Sequence, residues 1–464
     1  MLRFGGGQVK PLVAITVLAV FLTPTVPAGL LARASAAQPA SARALTLDEA
    51  EKLALGKNPD LASAQQRVNA ARAALQQANA AFWPQVRVSE SYAASDNPVQ
   101  AFMMTLNQRA FNFGANFNHP DTTDNLNTKV LATYPLYNGG SDLAARQAAR
   151  LGAEAGENSL DAVRNELVFE VARGFYTVGK ARQFVRAAEA AVASMESNLN
   201  VASNRFTQGT VLKSDFLDAE VRLSEARENL VRAQNALAIS ETIFRNVVGV
   251  GEKEDVTAGE TSVEGEARER GSEPISSAAE LDVSHRPELL AARKAADAAE
   301  RQVRAAFGGH LPRVNAFASY DLDSGDARRY EDSWVAGVSV ELDVFDGFLT
   351  RGKVAEARAN LAAAHDALRK TELSLELEAK EAQLNLNEAQ SRLATTERVV
   401  AQAQESLQIT KERYGNGLAL LTQLLDAETA LTAARQRRAA AEADYQIARA
   451  ALDKALGRGW KERQ

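Results

Sequence analysis

The chain contains no cysteine, which excludes disulfides, thiolate metal sites, cysteine nucleophiles and a lipid-bearing N-terminal cysteine together. Histidine is scarce: His119, His285, His310 and His365 lie far apart, with no paired spacing suited to a metal. No glycine-rich phosphate loop follows a strand-like segment, and Gly5, Gly6 and Gly7 belong to the N-terminal leader. Carboxylates are plentiful but alternate with Arg and Lys, the pattern of solvated helix faces. No catalytic residue, cofactor or metal is therefore expected. Proline is also sparse (12 of 464 residues) and aromatics make up 6%. Ala, Leu, Glu, Arg and Gln recur instead, a composition that favours long helices over an aromatic-rich core. The length exceeds one ordinary compact domain.

The N-terminus reads as an export address, residues 1–36. Arg3 and Lys10 precede an apolar run over residues 11–22, and Ala34, Ser35 and Ala36 offer a small-x-small cleavage site. About a dozen apolar residues fall short of the ~20 that span a bilayer as a helix. Cleavage removes three cations and no acid, taking the formal charge from −6 to −9. An acidic chain binds phosphate backbones poorly, so nucleic acid is not an expected partner.

The remainder is written twice. Pro59 and Pro84 recur as Pro287 and Pro312, and Tyr92 as Tyr320, at an offset of 228. Arg205 to Gly209 matches Arg413 to Gly417, and Leu217-Asp218-Ala219-Glu220 matches Leu425-Asp426-Ala427-Glu428, at an offset of 208. The 20 residues missing from the second half fall opposite 96–126, whose Asn, Gly, Pro and Phe content predicts a long loop. The expected organisation is a first repeat over 37–248, an acidic linker over 249–276 crossing the equator, a second repeat over 277–458 and a tail over 459–464. Each repeat should run helix, strand, loop, strand, very long helix, turn, helix.

Periodicity assigns the helices. Val178, Ala181, Val185, Ala188, Val192, Met195, Leu199, Ala202 and Phe206 step alternately by three and four, a 3.5-residue repeat that demands a left-handed supercoil. After the turn, Leu223, Ala226, Leu230, Ala233, Leu237, Ser240, Phe244 and Val247 do the same, so the two helices should pair antiparallel across Gly209. The spans 139–205 and 347–413 each give a helix of about 100 Å at 1.5 Å per residue. The shorter partners, 46–82 and 214–248, should stack end to end to match one long helix.

The strand candidates are amphipathic. Val314, Ala316, Ala318, Tyr320 and Leu322 share one side, as do Trp334, Ala336, Val338, Val340 and Leu342, with Phe317 and Val335 as exceptions. The first half offers Val86, Val88 and Tyr92, then Val130, Ala132, Tyr134 and Leu136, with Glu90 the misfit. A small sheet covering the end of the helices is one reading, and a membrane barrel is the other. Four strands cannot close, and an open edge in lipid is forbidden, so other copies would have to complete a ring. Two chains would give eight strands and a filled interior, and three would give twelve and a pore. Trp83, Tyr134, Tyr137 and Trp334 suit interfacial girdles.

The doubled layout resembles the TolC-like outer-membrane efflux channel family. The marks are Tyr137-Asn138-Gly139-Gly140 and Phe345-Asp346-Gly347 entering the long helices, and the turns 205–220 and 413–428. The resemblance implies duplicated coiled-coil hairpins forming an α-barrel in the periplasm, below a trimeric twelve-stranded barrel in the outer membrane. It implies docking to a periplasmic adaptor and an inner-membrane pump or ABC transporter, and export of small molecules or polypeptides. It also implies a periplasmic gate. Tyr414 matches the tyrosine of the family's closing link, Asp215 the aspartate that receives it, and Ser214 the hydroxyl residue beside it. Asp426 matches one member of an acidic ring at the constriction. A phenol-to-carboxylate bond is charge-assisted and breakable by a docked partner, so Tyr414→Phe is expected to raise conductance.

Two departures stand out. Ala419 replaces an arginine of the best-known members, and Gln423 replaces the first ring aspartate. Fewer charged links should then hold the closed state. Gly209, Val211 and Leu212, with Gly417, Leu418 and Leu420, place apolar residues at exposed helical tips, which suggests an adaptor-docking surface. A periplasmic coiled-coil adaptor or structural protein is the alternative class; it would carry one hairpin on small β domains rather than two hairpins with strands between them.

Overall fold

A computed structural model describes residues 43–114, 116, 118–251, 256–259 and 281–458. The leader, most of the acidic linker and the tail 459–464 lie outside the described residues. The chain runs β1 (Arg43–Leu45), α1 (Leu47–Lys57), α2 (Pro59–Ala80), β2 (Gln85–Ser95), α3 (Pro98–Asn107), β3 (Thr123–Asn138), α4 (Ser141–Thr207) and α5 (Lys213–Val248). It continues through β4 (Val256–Ala258), α6 (Pro287–Phe307), β5 (Arg313–Ser324), β6 (Glu331–Glu341), α7 (Leu349–Gly415) and α8 (Leu421–Ala455).

Both long helices have 67 residues, each starting two residues later than its expected span. The first glycine at the entrance of α4 has a steric cause. Gly139 has φ +58°, and a Cβ there would meet the Gly308 carbonyl oxygen at 2.1 Å. Only glycine lets the start of α4 press against the turn that follows α6. Ser141 secures the contact by donating to the Ala305 carbonyl at 2.8 Å. In the second repeat Asp346 accepts from the Thr350 amide at 2.8 Å, and these Thr350 hydrogen bonds hold its carboxyl below the ordinary range.

The expected seam is the packed one: Val178, Ala181, Ala188, Met195 and Ala202 of α4 are buried, as are Leu223, Ala226, Ser240 and Phe244 of α5. Phe206, at the end of the seam, is 40% exposed and stacks on Phe216 with ring centroids 5.7 Å apart. Helix α4 packs against α2, α5, α6 and α8, whereas α7 packs against α6 and α8.

The first short helix is broken where one was expected to run on. Asn58 sits in extended backbone between α1 and α2, its Oδ1 accepts from the Asp60 and Leu61 amides, and its Nδ2 donates to the Val247 carbonyl at 2.8 Å. One side chain thus caps α2 and ties it to the end of α5. The expected loop over 96–126 also contains a helix, α3, started by Asn97 accepting from the Val99 and Gln100 amides, with Pro98 in its first turn. Loop-type composition hid it because Asn and Pro are also the residues that begin helices. The short parallel pair β1–β4, with Arg43 opposite Val256, was not anticipated, because three-residue strands carry no periodic signal.

The four longer strands form one antiparallel sheet in the order β2-β3-β5-β6. Its register puts Val86, Ala132, Ala318 and Ala336 in one row and Val88, Val130, Tyr320 and Trp334 in the next. One exception, Phe317, resolves structurally. Phe317 lies opposite Gly337, where a Cβ would meet its ring at 2.9 Å, so the aromatic covers a glycine on the polar face. A bulge between Pro135 and Tyr137 leaves Leu136 out of the ladder and places Tyr137 opposite Val314.

Candidate functional site

The tips of the two hairpins meet in one apolar cluster. Met195 and Ala202 of α4, Ala219, Leu223 and Ala226 of α5, Tyr414 of α7, and Leu421, Leu424 and Leu425 of α8 are buried together. The turns begin with Gly209 (φ +77°) and Gly417 (φ +70°), the left-handed conformation that closes a helix end. Beyond them Leu212, Leu418 and Leu420 are about 70% exposed, and Val211 is half-buried. These apolar side chains point away from the packed cluster.

Tyr414 is buried, but its hydroxyl has no hydrogen-bond partner in the structure. The Tyr414-to-Asp215 bond implied by the resemblance is therefore not made in this chain, and Asp215 sits half-buried in the first turn of α5 beside exposed Ser214. The tyrosine ring does different work. The Arg205 guanidinium lies 4.4 Å from its centroid and donates to the carbonyls of Tyr414 and Gly415 at 3.3 Å. Arg205 thus ends α4 while capping the C-terminus of α7, where the helix dipole favours a cation. No sequence signal marks this cross-hairpin contact, because Arg205 stands out only as part of a repeated motif.

Asp426 is exposed and has an ion-pair partner, Arg222 of α5, at 3.5 Å. Gln423 accepts from the Leu420 amide at 3.2 Å, so it caps α8 where the family resemblance placed an aspartate. Glu428 of α8 is buried and bonded to the Ser194 hydroxyl of α4 at 2.5 Å, a second link between hairpins absent from the sequence reading. Asp218 is exposed on α5.

Ion pairs also tie the helices together far along the chain from the tips. Arg286, 2% exposed, binds Glu288 at 2.9 Å and Glu378 at 3.1 Å, and Lys454 pairs with Glu166 and Glu378. Burial pushes the Glu288 carboxyl up, but the hydrogen bonds and charge of Arg286 outweigh it and leave it below the ordinary range. For Lys454, burial lowers and Glu166 and Glu378 raise, with a net rise. Arg182 holds the β4 segment through the carbonyls of Ala258 and Gly259, the Thr257 hydroxyl and Glu241.

The sheet is two-sided in chemistry. One face bears Val86, Val88, Tyr92, Trp334, Val338 and Val340, each more than 60% exposed. The other carries a polar net in which Asn125 and Asn127 donate to Asp323 and Lys129 pairs with Asp321 at 3.3 Å. The outer strands β2 and β6 each have one paired neighbour, so both edges are open. Among the described residues no group of three His, Asp or Glu could hold a metal ion, and no helix is long and apolar enough to cross a membrane.

A family model described as outer membrane efflux protein matches residues 51–250 and 280–458. The chain belongs to the outer membrane efflux protein family. Outer membrane protein TolC of Escherichia coli is 26% identical over 305 residues, spanning 63% of this chain and 61% of TolC. TolC of Vibrio cholerae is 24% identical over 411 residues, 86% of this chain and 88% of that protein. Among solved structures, the outer membrane protein VceC of Vibrio cholerae superposes with a TM-score of 0.73 at 21% identity, covering 89% of this chain and 96% of VceC. The fold is thus that of this outer-membrane protein, mainly α with one four-stranded sheet among the described residues. The protein is an outer-membrane protein of an efflux family.

Proposed function

We propose that this chain is the outer-membrane exit duct of a tripartite efflux or type I secretion system. Three copies pool their sheets into a twelve-stranded barrel and their hairpins into a periplasmic tunnel. The observation that carries this reading is the sheet with a bare apolar face and two open edges. An open edge in hydrocarbon leaves a row of unpaired amides, so β6 of one copy must meet β2 of the next. From Trp334 to Leu342 the chain rises about 27 Å along the strand, or about 21 Å across a bilayer at ~40° tilt, close to the ~25 Å apolar band of such barrels. Exposed Trp83 and Tyr137 lie toward the helical end and suit the inner girdle.

The helices support the same assembly. Leu217, Val221, Val231, Ile239 and Ile243 of α5 are exposed, as are Leu373, Leu377, Leu384 and Ile409 of α7. These are surplus apolar stripes that the rest of the chain leaves uncovered. The duct is a passive conduit. Its mouth comprises Tyr414, Asp215, Ser214, Asp426 and Gln423, and its tip residues Gly209, Val211, Leu212, Gly417, Leu418 and Leu420 receive a periplasmic adaptor that bridges to an inner-membrane pump or ABC transporter. With Ala419 in the family arginine's place, Arg205 carries the closing link. Fractionation and planar-bilayer recording test the reading: the protein should enter the outer-membrane fraction and form discrete channels. A soluble periplasmic protein without channel activity would refute it.

A further inference from the structure

Helix α3 belongs to the first repeat, in the segment absent from the second, and its anchorage is specific. Its buried side, Ala101 and partly Met104, Thr105 and Gln108, faces the sheet. Gln108 Nε2 donates to the Asp124 carbonyl at 2.7 Å and to Asn125 Oδ1 at 2.9 Å. Arg109, in left-handed backbone at φ +49°, donates to the Asp332 carbonyl at 2.9 Å and pairs with Glu331 at 3.3 Å. The connection between β2 and β3 is thereby fastened across the sheet to the start of β6. Asn125 belongs to the polar net, and Glu331 lies opposite Asp323 of that net, so α3 is held on the polar face. It sits at the end of the sheet remote from the long helices, because β2 enters from α2 and β3 leaves into α4.

The side of α3 turned away from the sheet is apolar. Val99 is 71% exposed, Met103 51% and Leu106 39%, at helical spacing, and Phe113 beyond the helix is 90% exposed. In a barrel the apolar lipid face of the sheet is the opposite one, so lipid does not cover these side chains. Twelve strands ~4.8 Å apart and tilted ~40° enclose a ring with a radius of about 12 Å. A helix is itself ~10 Å thick with its side chains. Helices lying against the inner wall at one level therefore reach one another near the axis.

We propose that the occupant of this apolar face is the same face of α3 in the other two copies. Val99, Met103, Leu106 and Phe113 of three chains converge into a hydrophobic constriction at the outer mouth of the duct. Such a constriction gates by dewetting rather than by charge. It forms a barrier at the opposite end from the periplasmic gate. The inference rests on the trimeric reading above and deepens it.

The absence of native cysteine makes the test direct. Met103→Cys, with Val99→Cys as a second variant, is purified in detergent and its mass measured by light scattering before a short bismaleimide is added. A trimer in which the reagent moves most chains to a covalent dimer on a denaturing gel supports the convergence. A trimer whose thiol reacts with a monofunctional maleimide but forms no dimer in either variant overturns the constriction while leaving the duct intact. A monomer in detergent overturns both readings. Modification of Met103→Cys with a charged thiol reagent should also raise resting conductance in the trimer, and unchanged conductance would count against a dewetting barrier.

Discussion

The two long helices are the same length and occupy equivalent places in the repeat, yet one is an interior element and the other an edge. Eighteen residues of α4 are buried, among them Val171, Phe175 and Val178; six of α7 are, among them Leu375, Ala379 and Tyr414. Their composition does not account for this, since α7 carries its own apolar stripe. Position does: α4 packs along helices of both repeats, whereas α7 packs along those of its own and meets the first repeat at the tip, through Tyr414. Duplication gave two similar hairpins, but in a single chain one of them must stand on the outside. On the proposed trimeric reading, the stripe left bare on α7 and its counterpart on α5 are where the next copy belongs.

The largest effect should come from the edge. Leu373→Asp with Leu377→Asp places charge on the bare stripe of α7 and is expected to abolish the trimer in detergent, as read by native gel migration. Migration as wild type would mean that the stripe is not an interface. The interior should behave differently. Phe244→Ala empties a fully buried site against Gly174 and Phe175 and should cost about 3–5 kcal/mol in denaturant unfolding. A loss below about 1 kcal/mol would show that the α4 to α5 seam is looser than its burial.

Next in size is the charged cluster. Arg286→Ala strands Glu288 and leaves Glu378 with Lys454 alone, at a cost of about 2 kcal/mol after allowing for their partial exposure. Because the Glu288 carboxyl is depressed by Arg286, its contribution is complete above the ordinary value of 4.5 and fades as pH falls through the folded-state value. The wild type should therefore lose stability on acidification over that window, with a smaller loss in Arg286→Met. An identical acid limb in both proteins would assign it to other groups. At the tips, Arg205→Met and Tyr414→Leu should each raise single-channel conductance by breaking the guanidinium-to-ring contact. Tyr414→Phe, which keeps the ring, should leave conductance unchanged, and a rise in that variant would restore the hydroxyl latch.

Much of this was legible because periodicity is a long-range signal. The repeat offsets, the 67-residue helices, the seam positions from Val178 to Ala202 and the apolar sides of the strands all follow from patterns repeated many times. What escaped depends on single contacts. The break at Asn58, the helix α3 and the bulge at Leu136 each hinge on one cap, one proline or one register slip, and the pair β1–β4 is too short to show a period. At the tip, motif matching identified Tyr414 but attached its role to the hydroxyl. Only the packing of Arg205 on the ring reveals the link between hairpins. Glu428 and Ser194 were invisible for a similar reason, since a Glu on a helix rich in Arg and Glu carries no mark of burial.

Sedimentation equilibrium of the detergent-extracted protein tests most directly whether the bare stripes and open strand edges are subunit interfaces. Three copies per particle is the expected result. One copy per particle, with the sheet still folded by circular dichroism, would contradict it.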